Sequence, residues 1–131
     1  MQAIITLTIA LLSNSAAAAQ STPEILKMYE HFTLSSAAAG KCYKPTEQEL
    51  ALFLANYELV TRMSSQYIKN KKPSLTDKQA SQILLDAGKR ATDMVYREIE
   101  EASCTSPKIQ DLIKRFKVQS AWKHGKQPSG K

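Results

Sequence analysis

The chain has two cysteines, Cys42 and Cys104, and each stands at the outer end of a long helical pattern. The patterns cover 46–70 and 77–103 and meet at the KNKKPS turn, where Pro73 pushes the residue before it out of the helical region. If the two helices double back there, residues whose numbers sum to about 146 lie side by side, and 42 and 104 do. A disulfide between them would close the mouth of the hairpin. The sequence therefore predicts an all-α fold: a small bundle of about four helices built on a long antiparallel hairpin (46–70 and 77–103) closed by one disulfide, Cys42–Cys104. The alternative is two free buried thiols packing as small hydrophobes.

Start signals recur at intervals suited to four helices. The first is STPEILKMYEHF, with Thr22 as N-cap, Pro23 at the first helical position and Ile25, Met28, Tyr29 and Phe32 on one face. The small residues of SSAAAGK then read as a flexible connection. TEQE opens the second helix with a capping box between Thr46 and Glu49. Leu50, Phe53, Leu54, Tyr57 and Ile68 form one stripe on it, and Leu52, Leu59, Met63 and Tyr67 a second on the far side. A helix apolar over most of its circumference is expected at the centre of a bundle, packed on two sides.

A second capping box, Thr76 to Gln79, opens the third helix, whose core side reads Ala80, Ile83, Leu84, Ala87, Ala91, Met94 and Val95. Asp86 with Arg90 and Asp93 with Arg97 are spaced as ion pairs on an exposed face. Gly88 falls level with Glu58 and near Tyr57, where a missing side chain would let a ring or the facing backbone approach; a merely tolerated glycine is the other reading. The fourth helix starts at Ser106 and Pro107 with Ile109, Leu112, Ile113 and Phe116 facing inward, and Gly125 is expected to end it.

Compartment is read from the first residues. AIITLTIALL is an apolar run of signal-peptide length and SNSAAAAQ supplies small residues of the A-x-A type, so 1–19 reads as a signal peptide cleaved after Ala19. Ser13, Asn14 and Ser15 interrupt the run well short of the about 20 apolar residues that span a bilayer. The helical domain is then 20–124, and 125–131 is a polar basic tail too rich in Gly and Pro to order itself. Export to the periplasm or outside the cell supplies the oxidising surroundings in which a disulfide persists.

Charge is the clearest functional clue. The formal net charge is +6, and residues 108–131 carry all of it: Lys108, Lys114, Arg115, Lys117, Lys123, Lys126 and Lys131 face Asp111 alone. Acids and bases in the rest of the chain cancel. On the fourth helix, Val118 and Trp122 point away from the core stripe and stand among Lys114, Arg115, Lys117 and Lys123. An apolar pair in a basic face would suit docking on an anionic partner or membrane surface. Alternatively the helix stops or bends near Lys117 and folds Trp122 back onto the body. Nucleic acid is disfavoured, because the patch is small and no aromatic residues are interleaved as stacking platforms.

The raw material for catalysis is thin. His31 and His124 belong to no metal-binding spacing, no G-x-S-x-G is present, and the lone Gly-Lys of AGKR lacks the upstream glycine of a phosphate loop. Glu98, Glu100 and Glu101 read as a solvated face. No catalytic residue, metal or cofactor is expected.

No specific motif places the chain in a family. The stretch CTSPKIQDLIKRFK, residues 104–117, resembles small periplasmic acid-stress chaperones, which also have two disulfide-bonded cysteines, short helices and a Lys-rich last helix after a Cys-Thr pair. That resemblance implies a chaperone-like role and carries over no functional residue. The expectation from the residues themselves is a small exported non-enzymatic interaction protein, which binds an envelope or secreted protein or an anionic surface through its basic C-terminal helix. A chaperone-like or inhibitor-like module and a small wall- or lipid-directed hydrolase are the alternatives.

Overall fold

The computed structural model describes residues 23–123, which form four α-helices: α1 (Glu24–Cys42), α2 (Glu47–Lys71), α3 (Asp77–Ala102) and α4 (Pro107–Ser120). The segment 1–19 expected to be a signal peptide, the expected N-cap Thr22, His124 and the 125–131 segment lie outside the described residues. Helix directions follow from the contacts. Ser64 donates to the Ile25 carbonyl, Tyr57 meets Tyr29 and Phe53 meets Phe32, so α2 runs antiparallel to α1. Tyr29 donates to the Leu84 carbonyl and Cys42 bonds Cys104, so α3 runs parallel to α1 and antiparallel to α2.

The central helix is α1, not α2. All three other helices pack on α1. SSAAAGK is not a connection: the helix runs through it to Cys42, with Ser35, Ala37, Ala38 and Ala39 buried. Alanine is the strongest helix former, and side chains this small let Val95, Ile109 and Ile113 close in on α1. On α2 only Phe53, Val60 and Ser64 are buried. Leu50 and Leu54 of the first stripe and Leu52 and Met63 of the second are each more than 40% exposed, and Leu59 and Tyr67 are only half-buried, so no residue of the second stripe reaches the core.

The disulfide joins Cys42 to Cys104 with their Cα atoms 5.5 Å apart. Because Cys42 is the last residue of α1, the bond ties the central helix to the turn between α3 and α4, and thereby closes the open end of the α2–α3 pair. Helix ends follow the expected signals in part. Thr76 and Gln79 form a complete capping box. Thr46 accepts the Glu49 amide at 3.1 Å, but the Glu49 carboxylate accepts from the Tyr43 phenol at 2.8 Å instead of closing a box. Ser106 sits at the N-cap of α4 and sends its hydroxyl to Glu98 rather than to the helix amides. Among the described residues the single ion pair is Lys69–Asp77; Asp86 accepts from Gln82 and is not paired with Arg90.

The aromatic core lies between α1, α2 and α4. Phe53 packs 4.2 Å from Phe116 and 5.4 Å from Phe32 between ring centroids, and Tyr57 stacks on Phe32 at 5.9 Å. No helix of the described residues is long and apolar enough to cross a membrane.

Candidate functional site

Two surfaces stand out, on different sides of α1. The first is the solvent side of α4. Lys114, Arg115 and Val118 are exposed, and their spacing places them on one face of the helix with Asp111. Lys117 lies to one side, its ammonium 5.0 Å from the centre of the Tyr43 ring. α4 ends at Ser120, before Gly125, and the chain turns at Ala121 so that Trp122 packs against the aromatic core, 6.2 Å from Phe32. The folding-back alternative is therefore the one observed: Trp122 is withdrawn from the basic face, while Val118 stays on it at 37% exposure. Lys123 follows Trp122 and is exposed.

Asn56 holds this end in place, and sequence reasoning missed it. Its side-chain amide donates to the Gln119 carbonyl, in the last turn of α4, at 2.8 Å and to the Trp122 carbonyl, in the turn just beyond it, at 3.0 Å. A lone asparagine inside LALFLANYEL was the available signal. His31 on α1 stands near this face without adding charge to it at neutral pH: burial holds its imidazole below the ordinary value of 6.5, and the nearby Arg115 charge lowers it further.

The second surface is a groove of about 350 Å³ between α1 and α3, closed at one end by Ile68 of α2. Leu26, Glu30 and Thr33 form its α1 wall; Ile83, Arg90 and Met94 form its α3 wall. Ala87, Gly88 and Ala91 leave the floor low. Ile83 and Met94, read from the sequence as core, stand 46% and 63% exposed on its rim.

Gly88 makes the floor possible. The ring that approaches it is Tyr29 of α1, not Tyr57 of α2. The Tyr29 hydroxyl donates to the Leu84 carbonyl at 2.9 Å, and a Cβ at residue 88 would stand 2.9 Å from that hydroxyl. Thr33 donates to the Tyr29 carbonyl, so its single hydroxyl proton is used and Tyr57 is the donor in the 2.6 Å Thr33–Tyr57 contact. Burial, with the Tyr57 phenol adding to it, pushes the Tyr29 pKa up to about 12. Gly88→Ala should gain about 1 kcal/mol in helix propensity but lose a buried hydrogen bond and crowd the ring, for a net loss of about 1–3 kcal/mol. Thermal unfolding of Gly88→Ala, Tyr29→Phe and the double variant checks this: the second substitution should cost less in the Gly88→Ala background, and additive losses would refute the coupling.

Among the described residues no three His, Cys, Asp or Glu side chains converge on a point that could hold a metal ion. No protein-family model matches the chain, and neither the curated proteins nor the solved structures yield a match.

Proposed function

We propose that this chain is an exported, non-enzymatic interaction protein that docks on an anionic surface of the cell envelope, membrane or protein, through the exposed face of α4. The observation that carries the reading is the grouping of Lys114, Arg115 and Val118 on one solvent face, within a C-terminal segment, 108–131, that holds the whole net charge of +6. Cations gain about 1 kcal/mol each beside an anionic membrane, and an apolar side chain among them adds contact once water is displaced. The Cys42–Cys104 disulfide supports export, because such bonds persist in oxidising compartments. Asn56 and the Trp122 anchor hold α4 at a defined angle on the body, which favours a surface presented ready-made over one that must fold on contact.

The test is binding to vesicles of phosphatidylcholine with and without phosphatidylglycerol, across salt. Wild type should bind only the anionic vesicles and lose affinity as salt rises. Lys114→Gln/Arg115→Gln should bind about 10- to 30-fold more weakly, from two charges at about 1 kcal/mol each. Equal binding by variant and wild type removes α4 from the reading. Salt-sensitive retention by an acidic protein, with no vesicle binding, assigns the partner as protein.

A further inference from the structure

We propose that the α1–α3 groove is the interface of a two-fold homodimer. Its walls project Leu26 and Glu30, four apart, on one helix and Ile83, Arg90 and Met94, at i, i+7 and i+11, on the other, the spacing with which helices interdigitate. The same surface carries projecting side chains, Ile83 and Met94, and the hollow over Ala87, Gly88 and Ala91 that can receive them. An isologous interface requires this combination, since each copy must supply both halves of every contact. Below the hollow the polar groups are satisfied within the chain, Tyr29 by the Leu84 carbonyl and Thr33 by Tyr29 and Tyr57, so the floor favours an apolar occupant.

Charge selects the occupant. Glu30 lines one wall and Arg90 the other, and neither is in an ion pair with another of the described residues. A two-fold axis lying in the interface and parallel to α1 and α3 exchanges the walls; since Tyr29 is level with Leu84 and Cys42 with Cys104, Glu30 and Arg90 stand near the same height, and Arg90 of each copy comes to Glu30 of the other. An amphiphile with one charged head would meet one attractive and one repulsive wall; a second copy meets two attractive ones. Leu26, Glu30 and Thr33 face the groove, whereas His31, a step of about 100° round α1 from Glu30, faces Arg115 of α4, so α4 is not among the elements that line the proposed interface. Two such faces on one particle would raise avidity for an extended anionic surface.

Sedimentation equilibrium of the oxidised protein, from about 1 μM to about 1 mM, tests the proposal, with circular dichroism to confirm that each variant is folded. The expected result is a mass that rises from one chain to two. Glu30→Arg and Arg90→Glu should each weaken the dimer at least about 10-fold through like-charge contacts, and Glu30→Arg/Arg90→Glu should return it to within about 3-fold of wild type, because exchanged walls remain complementary. Met94→Asp should weaken it most. A single-chain mass throughout the range overturns the proposal, as does a dimer indifferent to the single exchanges or not restored by the double one. No anionic surface is present in the measurement, so either failure leaves the α4 reading standing.

Discussion

Replacing Cys42 and Cys104 by serine is expected to cost about 4 kcal/mol of folding stability. The cysteines are 62 residues apart, and cross-linking a loop of that length removes that much conformational freedom from the unfolded chain in the chain-entropy model. A domain of this size has a margin of roughly 5–15 kcal/mol, so the double variant should lie near the edge of folding. For a unit of about 100 residues the midpoint of thermal unfolding should fall by about 15–30 °C. The loss should also be felt first at one place. Cys42 ends α1, and the ring contacts of Phe32 and Tyr29 are in the part of α1 remote from it, whereas Ala37, Ala38, Ile109 and Ile113 form the smaller cluster nearest the bond. Amide exchange should therefore accelerate most from Ala37 to Cys42 and at the start of α4 in the double variant. A midpoint within about 5 °C of the oxidised parent would mean that the bond does not restrain the unfolded chain in the way this loop length implies.

That bond was also the part of the architecture most legible in the sequence. Two cysteines, two helix-start signals and one proline turn leave few ways to arrange two helices of this length; the helices start at Thr46 and Thr76 as those signals require, though only the Thr76 box closes, and the two cysteines are bonded. What sequence patterning could not supply was the identity of the central helix. SSAAAG is apolar only weakly and ends in glycine, so it reads as a loop; its role is to be small, which is a property of what surrounds it. Conversely α2 looked central because its apolar residues cover most of its circumference, and nothing in a single sequence tells a packed leucine from an exposed one. Gly88 was legible as a point of close approach but not its partner, because hairpin register pairs α3 with α2 and is silent about α1. The basic end was legible as charge, whereas the fate of Trp122 involves Asn56 of another helix, which holds the Gln119 and Trp122 carbonyls.

Neighbouring positions on α2 separate these two pictures experimentally. Phe53 is fully buried, its ring within 6 Å, between centroids, of Phe32, Tyr57 and Phe116. Phe53→Ala removes that ring from a site whose walls are other rings, held by three helices that cannot all move inward, and should cost about 3–5 kcal/mol. Leu52, the adjacent residue, is 48% exposed, and Leu52→Ala should change stability by less than about 0.5 kcal/mol. Met63→Ala, on the same outer stripe, should behave like Leu52→Ala. Alanine is the better helix former in all three cases, so propensity cannot produce the contrast. Urea unfolding at low protein concentration reads it directly, with equal slopes for all variants. Comparable losses at Leu52 and Phe53 would mean that the outer stripe of α2 is covered, and that α2 shares with α1 the centre of the bundle.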